Sequence, residues 1–165
     1  MKKISLVLAT LLVVLLMGSV VASAETVLGQ SIYAAHGTRA FCVATVAMDG
    51  DVITAALIEE FQYMGEGSTP VPNPENFTNA DGNILGSKRV NDEFYSTNMA
   101  EAGSTQALVA SYKAIEDFCV GKTVAELEEA IADKTAEDMV DAVTSSTLQD
   151  TLGYLKAIIE AAKSI

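Results

Sequence analysis

A single histidine, His36, and two cysteines, Cys42 and Cys119, leave this sequence short of the residues that build the common zinc sites. The same shortage weakens a Ser-His-Asp reading. No Gly-x-Ser-x-Gly turn presents a nucleophile, and His36 would have to serve unaided. No Gly-x-Gly-x-x-Gly follows a strand-like run, so a dinucleotide fold is not supported. Tryptophan is absent and other aromatics are few, which argues against a carbohydrate-stacking surface. Basic residues are scarce too: 10 Lys and Arg stand against 22 Asp and Glu, a net charge of −12. That excess repels phosphodiester backbones and anionic headgroups and argues against nucleic acid and membrane surfaces as natural partners. Two cysteines are too few for a disulfide framework. They either pair across a long loop or, as their number favours, stay apart as small buried hydrophobes. Hydrolases rank low, and no constellation for independent catalysis stands out.

What the chain does have begins at its N-terminus. Lys2 and Lys3, an apolar run from Ile4 to Met17 broken only by Ser5 and Thr10, and Ala22-Ser23-Ala24 before Glu25 make the three parts of a secretory signal peptide. Residues 1–24 are expected to be removed near Ala24, giving a secreted protein with no stable membrane insertion after cleavage. Without Lys2 and Lys3, eight basic residues face 22 acidic ones, a charge of −14. Residues 25–165 are enough for one domain with its own core.

The mature chain reads as α+β: a small antiparallel sheet built on a central hairpin and packed against about three helices. The hairpin comes from Arg39 to Met48 and Val52 to Tyr63, separated by Asp49-Gly50-Asp51, where Gly50 supplies the positive φ of a tight turn. Phe41, Val43 and Thr45 alternate with Cys42, Ala44 and Val46, so both faces are apolar and a sheet covered at least partly on both sides is expected. Gly65 to Gly86, with Pro70, Pro72 and Pro74, reads as a long loop. Lys88-Arg89 is the only adjacent basic pair of the mature chain. It is either a solvated loop edge or the place where a negative ligand group is held. Ser104 to Phe118 is amphipathic, with Leu108, Tyr112, Ile115 and Cys119 inward and Glu116 and Asp117 off the stripe. Thr123-Val124-Ala125-Glu126 is a capping box opening a second helix. A last helix runs from about Leu148 to Lys163.

The residues before that helix, Asp141-Ala142-Val143-Thr144-Ser145-Ser146-Thr147, are rich in hydroxyls. Ser, Thr and Asp there cap unpaired N–H groups, and Ser146 to Gln149 has capping-box spacing. The sharper reading is an anion site, because a helix N-terminus with exposed N–H groups and spare hydroxyls suits a phosphate ester.

A resemblance favours the sharper reading. The hairpin Val43 to Ala56, the segment Ser87-Lys88-Arg89-Val90-Asn91-Asp92, the turn Cys119-Val120-Gly121-Lys122-Thr123-Val124 and the Asp141–Thr147 stretch resemble, in that order, the FMN-binding domain family of secreted and membrane-attached bacterial redox proteins. The last piece is similar to the family's Asp-Ala-Val-Ser-Gly-Ala-Thr motif, whose final threonine a separate flavin transferase esterifies with the phosphate of FMN. The resemblance implies FMN at Thr147, with Asp141, Thr144, Ser145 and Ser146 around it and Lys88 and Arg89 as further contacts. It also implies a flavin transferase and redox partner proteins. Ser145 stands where the motif has glycine and Ser146 where it has alanine. Three states therefore stay open: covalent flavin, non-covalent flavin, and a binding or assembly module on the same scaffold that has lost flavin attachment.

Overall fold

The computed structural model describes residues 25–72, 75, 77–101, 103–139, 143 and 148–165. The expected signal peptide and, from the hydroxyl-rich stretch, Asp141, Thr144, Ser145, Ser146 and Thr147 lie outside them. The fold is α+β. Strands β1 (Val27–Tyr33), β2 (Ala40–Asp49), β3 (Val52–Met64) and β4 (Ile84–Ser87) form one antiparallel sheet in the order β1-β2-β3-β4. Helices α1 (Asp92–Glu101), α2 (Leu108–Cys119), α3 (Val124–Ile131), the single turn α4 (Ala136–Met139) and α5 (Thr151–Lys163) follow. Among the described residues no helix is long and apolar enough to cross a membrane.

The β2–β3 hairpin turns where expected. Asp49 pairs with Val52 across a two-residue loop, and Gly50 takes a φ of 61°. The flanking strands β1 and β4 come from stretches that look like a polar lead and the end of a long loop. They hold through backbone pairing, Val27 to Met48 on one side and Phe61 to Ser87 on the other. The long loop is fastened as well. The Asn91 side chain accepts from the Thr69 N–H and donates to the Thr69 and Ser87 carbonyls, while Leu85 exchanges bonds with Val71 and Phe77.

Strand alternation sends Cys42, Ala44, Val46, Ile53 and Ile58 to one face, where they are buried under α2 and α5. The other face departs from expectation. No described element packs on it, and Leu28 and Ile32 are each 73% exposed. Cys42 and Cys119 are both free and buried, the arrangement their number favours. The α3 capping box forms as read: Thr123 Oγ1 accepts from the Glu126 N–H, and Glu126 Oε2 accepts from the Thr123 N–H at 2.8 Å. Gly121, with a φ of 82°, lets the chain leave α2 and bond Ile53 at the start of β3.

Helix α5 lies unusually close to β1. A Cβ on Gly29 would sit 2.1 Å from the Ala161 carbonyl oxygen, and one on Gly153 would sit 2.4 Å from that of Ala35. Ala157 and Ala161, both buried, keep the helix side of this contact small. Gly29→Ala is therefore expected to push α5 off the sheet and to cost roughly 2–3 kcal/mol, the scale of core overpacking. A lowered urea midpoint checks this; an unchanged midpoint would contradict the close approach.

Candidate functional site

Strand β3 sends Glu60 to the helix-covered face, where it is fully buried. A carboxylate taken out of water must be compensated. Glu60 Oε2 accepts from the Lys88 ammonium at 2.5 Å, the Tyr154 phenol at 2.6 Å and the Tyr112 phenol at 3.1 Å. Glu60 Oε1 is buried and meets no donor among the described residues. The tyrosine hydroxyls lie 3.1 Å apart and their rings meet edge to face at 5.0 Å. Burial, and then the Glu60 charge for Tyr112 or the neighbouring Tyr112 for Tyr154, pushes both phenols well above their ordinary range, so they remain donors. Lys88 follows β4 directly. Its N–H donates to the Glu60 carbonyl at 2.8 Å and its ammonium lies 4.6 Å from the centre of the Tyr95 ring.

Arg89 makes a second pair on the same face. Its guanidinium bonds Glu116 Oε1 and the Ile58 carbonyl and lies 5.3 Å from the Tyr112 ring centre. Glu116 Oε1 also accepts from the Ile58 N–H at 2.7 Å. Glu116 is thus buried against β3, not off the helix stripe as its position in the sequence suggests. Desolvation raises its carboxyl pKa, opposed by the Ile58 N–H and by Arg89. Lys88, only 1% exposed, is therefore neither a solvated loop edge nor a surface cation free to clamp a phosphate. Arg89 keeps a fifth of its side chain in solvent but is likewise held by a carboxylate.

At the other end of the sequence pattern, the described neighbours of the hydroxyl-rich stretch are anchored. Met139, Val143 and Leu148 are all buried. The last helix starts at Thr151, three residues later than its periodicity suggests, because Thr151 bonds back to the Leu148 carbonyl through both its N–H and its hydroxyl. Asp150 occupies the N-cap position without a side-chain capping bond, and its carboxylate pairs instead with His36 Nδ1. The first-turn N–H groups of Leu152 and Gly153 have no acceptor within the helix, as in any helix start.

Lys88 and the first turn of α5 meet through one carboxylate, since Tyr154 belongs to that turn and bonds the same Glu60 oxygen as Lys88. Glu60, Tyr112, Tyr154 and the His36–Asp150 pair are not singled out by sequence reasoning. Only Glu60 leaves a signal, a charged residue on the core parity of an apolar strand. His36 and Asp150 are 114 residues apart, and nothing local pairs them. Among the described residues no group of three or more His, Cys, Asp or Glu is placed to hold a metal ion.

Comparison of the chain with protein-family models, with curated proteins and with solved structures finds no match.

Two outcomes follow from the buried groups. Lys88→Met leaves the Glu60 charge without its cation and is expected to cost about 3–5 kcal/mol, whereas Lys88→Met with Glu60→Gln should regain at least half of that. Urea unfolding of the four chains in this cycle measures it, and an additive double variant would show that the two groups do not act as a pair. Burial pushes the Cys42 and Cys119 thiols from 9.0 up to about 12. Between those values the unfolded chain releases protons that the folded chain keeps, so stability falls as pH rises through that window. The urea midpoint should drop across it, and drop less in Cys42→Ala/Cys119→Ala.

Proposed function

We propose that the chain is a secreted, FMN-binding-like electron carrier that holds flavin at the start of α5. One observation carries the reading: Lys88, in a segment that the family resemblance marks, and Tyr154, in the first turn of the helix that follows the marked Asp141–Thr147 stretch, bond the same Glu60 oxygen. The start of α5 suits a phosphate ester. It is the positive end of a 13-residue helix, and the hydroxyl-rich stretch leads into it between the buried Val143 and Leu148. When bound, FMN supplies reversible electron transfer; the protein supplies position and surroundings. Thr147, with Asp141, Thr144, Ser145 and Ser146 beside it, is the proposed attachment segment. Lys88 and Arg89 act from behind, fixing Glu60 and Glu116 and through them the sheet and helices on which the site is built. His36 keeps the Asp150 carboxylate engaged, which lessens its opposition to a phosphate at the same helix end. A flavin transferase and redox partner proteins would be its physiological partners.

A second reading, a non-catalytic extracellular binding or assembly module, is favoured by the uncovered apolar face of the sheet. The two are separated by the visible spectrum of the protein secreted from a host with a flavin transferase, taken before and after denaturation and filtration. A flavin band that stays with the denatured chain is expected. Thr147→Ala should abolish it and Ser145→Gly should raise its yield. Flavin content unchanged in Thr147→Ala would overturn the attachment site, and no band in any state would leave the binding module.

A further inference from the structure

The hairpin is apolar on both faces, yet among the described residues only one face is packed against other elements. On the open face Leu28, Ile32, Phe41, Leu57 and Tyr63 are between 41% and 73% exposed. Val43 and Phe61 fill the space between them, and the Phe41 and Phe61 rings stack at 5.3 Å. With three strands about 4.8 Å apart and about 3.3 Å per residue, the band measures roughly 15 by 25 Å. A contiguous apolar patch of that size marks an interaction surface.

The occupant follows from what the surface offers. Strand addition is hindered at both sheet edges: the central outward N–H of β1, that of Gln30, is taken by Ser164 Oγ at 3.1 Å, and Leu85 on β4 is bonded to Val71 and Phe77. What remains is face-to-face packing. Polar groups within the band bond sideways to their neighbours. Gln30 donates to Thr45 Oγ1 at 3.2 Å, and Glu59 Oε1 accepts from Ser87 Oγ at 2.9 Å and from the Glu60 N–H at 3.0 Å. Strands β1, β2 and β3 contain no Lys or Arg, so the band carries no cation to recruit an acidic partner. In a chain of net charge −12, this is a surface that another copy can approach without massed carboxylates. The band is also self-complementary. Ala47 and Ala55, which pair across β2 and β3, lie toward one end, and Phe41 and Phe61, which also pair, lie toward the other. A two-fold axis running across the strands sets large side chains against small ones.

We propose that this face docks a second copy of the chain, sheet on sheet, about a two-fold axis lying between the two sheets. Two such footprints cover roughly 750 Å² in total, below the standard size of specific interfaces, so the dimer is a weak, concentration-dependent one. It does not depend on flavin.

Sedimentation velocity of the full chain, from low to several hundred micromolar, tests it, alongside the chain starting at Glu25, which keeps every described element. A monomer–dimer equilibrium is expected in both. Ile32→Glu/Leu57→Glu should weaken it at least 100-fold with unchanged circular dichroism, and Val90→Glu, at an exposed apolar position outside the sheet, should leave it intact. Thr45→Cys, at the middle of the band, should form an intermolecular disulfide on mild oxidation while the buried Cys42 and Cys119 do not react. This variant keeps the test informative if the double variant misfolds. A monomer at every concentration, or a dimer unaffected by the double variant, would overturn the proposal. A full chain that stays monomeric while the chain from Glu25 dimerises would support it for the processed chain, with residues 1–24 competing for the same face before removal.

Discussion

The carboxylate of Glu60, held by Lys88, is the constraint on which the rest of the structure depends. Hydrophobic burial brings helices onto a sheet without saying where along it they stop. Glu60 says where. One of its oxygens gathers donors from the residue after β4, from α2 and from α5, elements spread from residue 88 to residue 154. A one-residue slip of β3 would turn Glu60 to the open face, away from Lys88, Tyr112 and Tyr154. The slip would separate a buried charge from its counterion, which is costly in a way that a misplaced methyl group is not. The Arg89–Glu116 pair repeats the device one residue along and adds the Ile58 backbone, so the register of β3 is fixed by its main chain and its side chains together.

A second constraint is closeness. The carbonyls of Ala161 and Ala35 approach Gly29 and Gly153 to distances no larger residue would tolerate. Glycine in a strand and in a helix is ordinarily unfavourable. Here each removes the side chain that would hold α5 away from β1 or from the 34–36 turn, and with the helix seated this low Tyr154 reaches Glu60. The turn also carries His36, so the same approach brings the only histidine of the chain to Asp150 at the head of α5.

Much of this was legible in the residues and some was not. The Asp49-Gly50 turn, the apolar members of the α2 stripe and the Thr123 capping box are local patterns, in which a few neighbouring residues determine the geometry, and they appear as read, whereas Glu116, read as off the stripe, is buried. Strands β1 and β4 are not legible, because their pairing is supplied by β2 and β3 and their own composition is that of a polar lead and a loop. The Lys88-Arg89 pair shows the limit most clearly. Sequence marks it as unusual, but whether a cation faces a ligand, solvent or an internal carboxylate depends on Glu60 and Glu116, which lie 28 and 27 residues away. The start of α5 moved by three residues because a tertiary anchor, the buried Leu148, competed with the periodicity.

The two faces of the sheet therefore have different duties. The covered face fixes the start of α5 through Glu60 and Tyr154. The open face stands apart from that network, since Leu28, Ile32 and Leu57 project from the opposite side of the sheet into solvent. Its apolar character is not explained by stability of the monomer. No described element covers it, so the reason for its apolar character lies in what docks there, and that holds whether the helix end carries a cofactor or only its own cap.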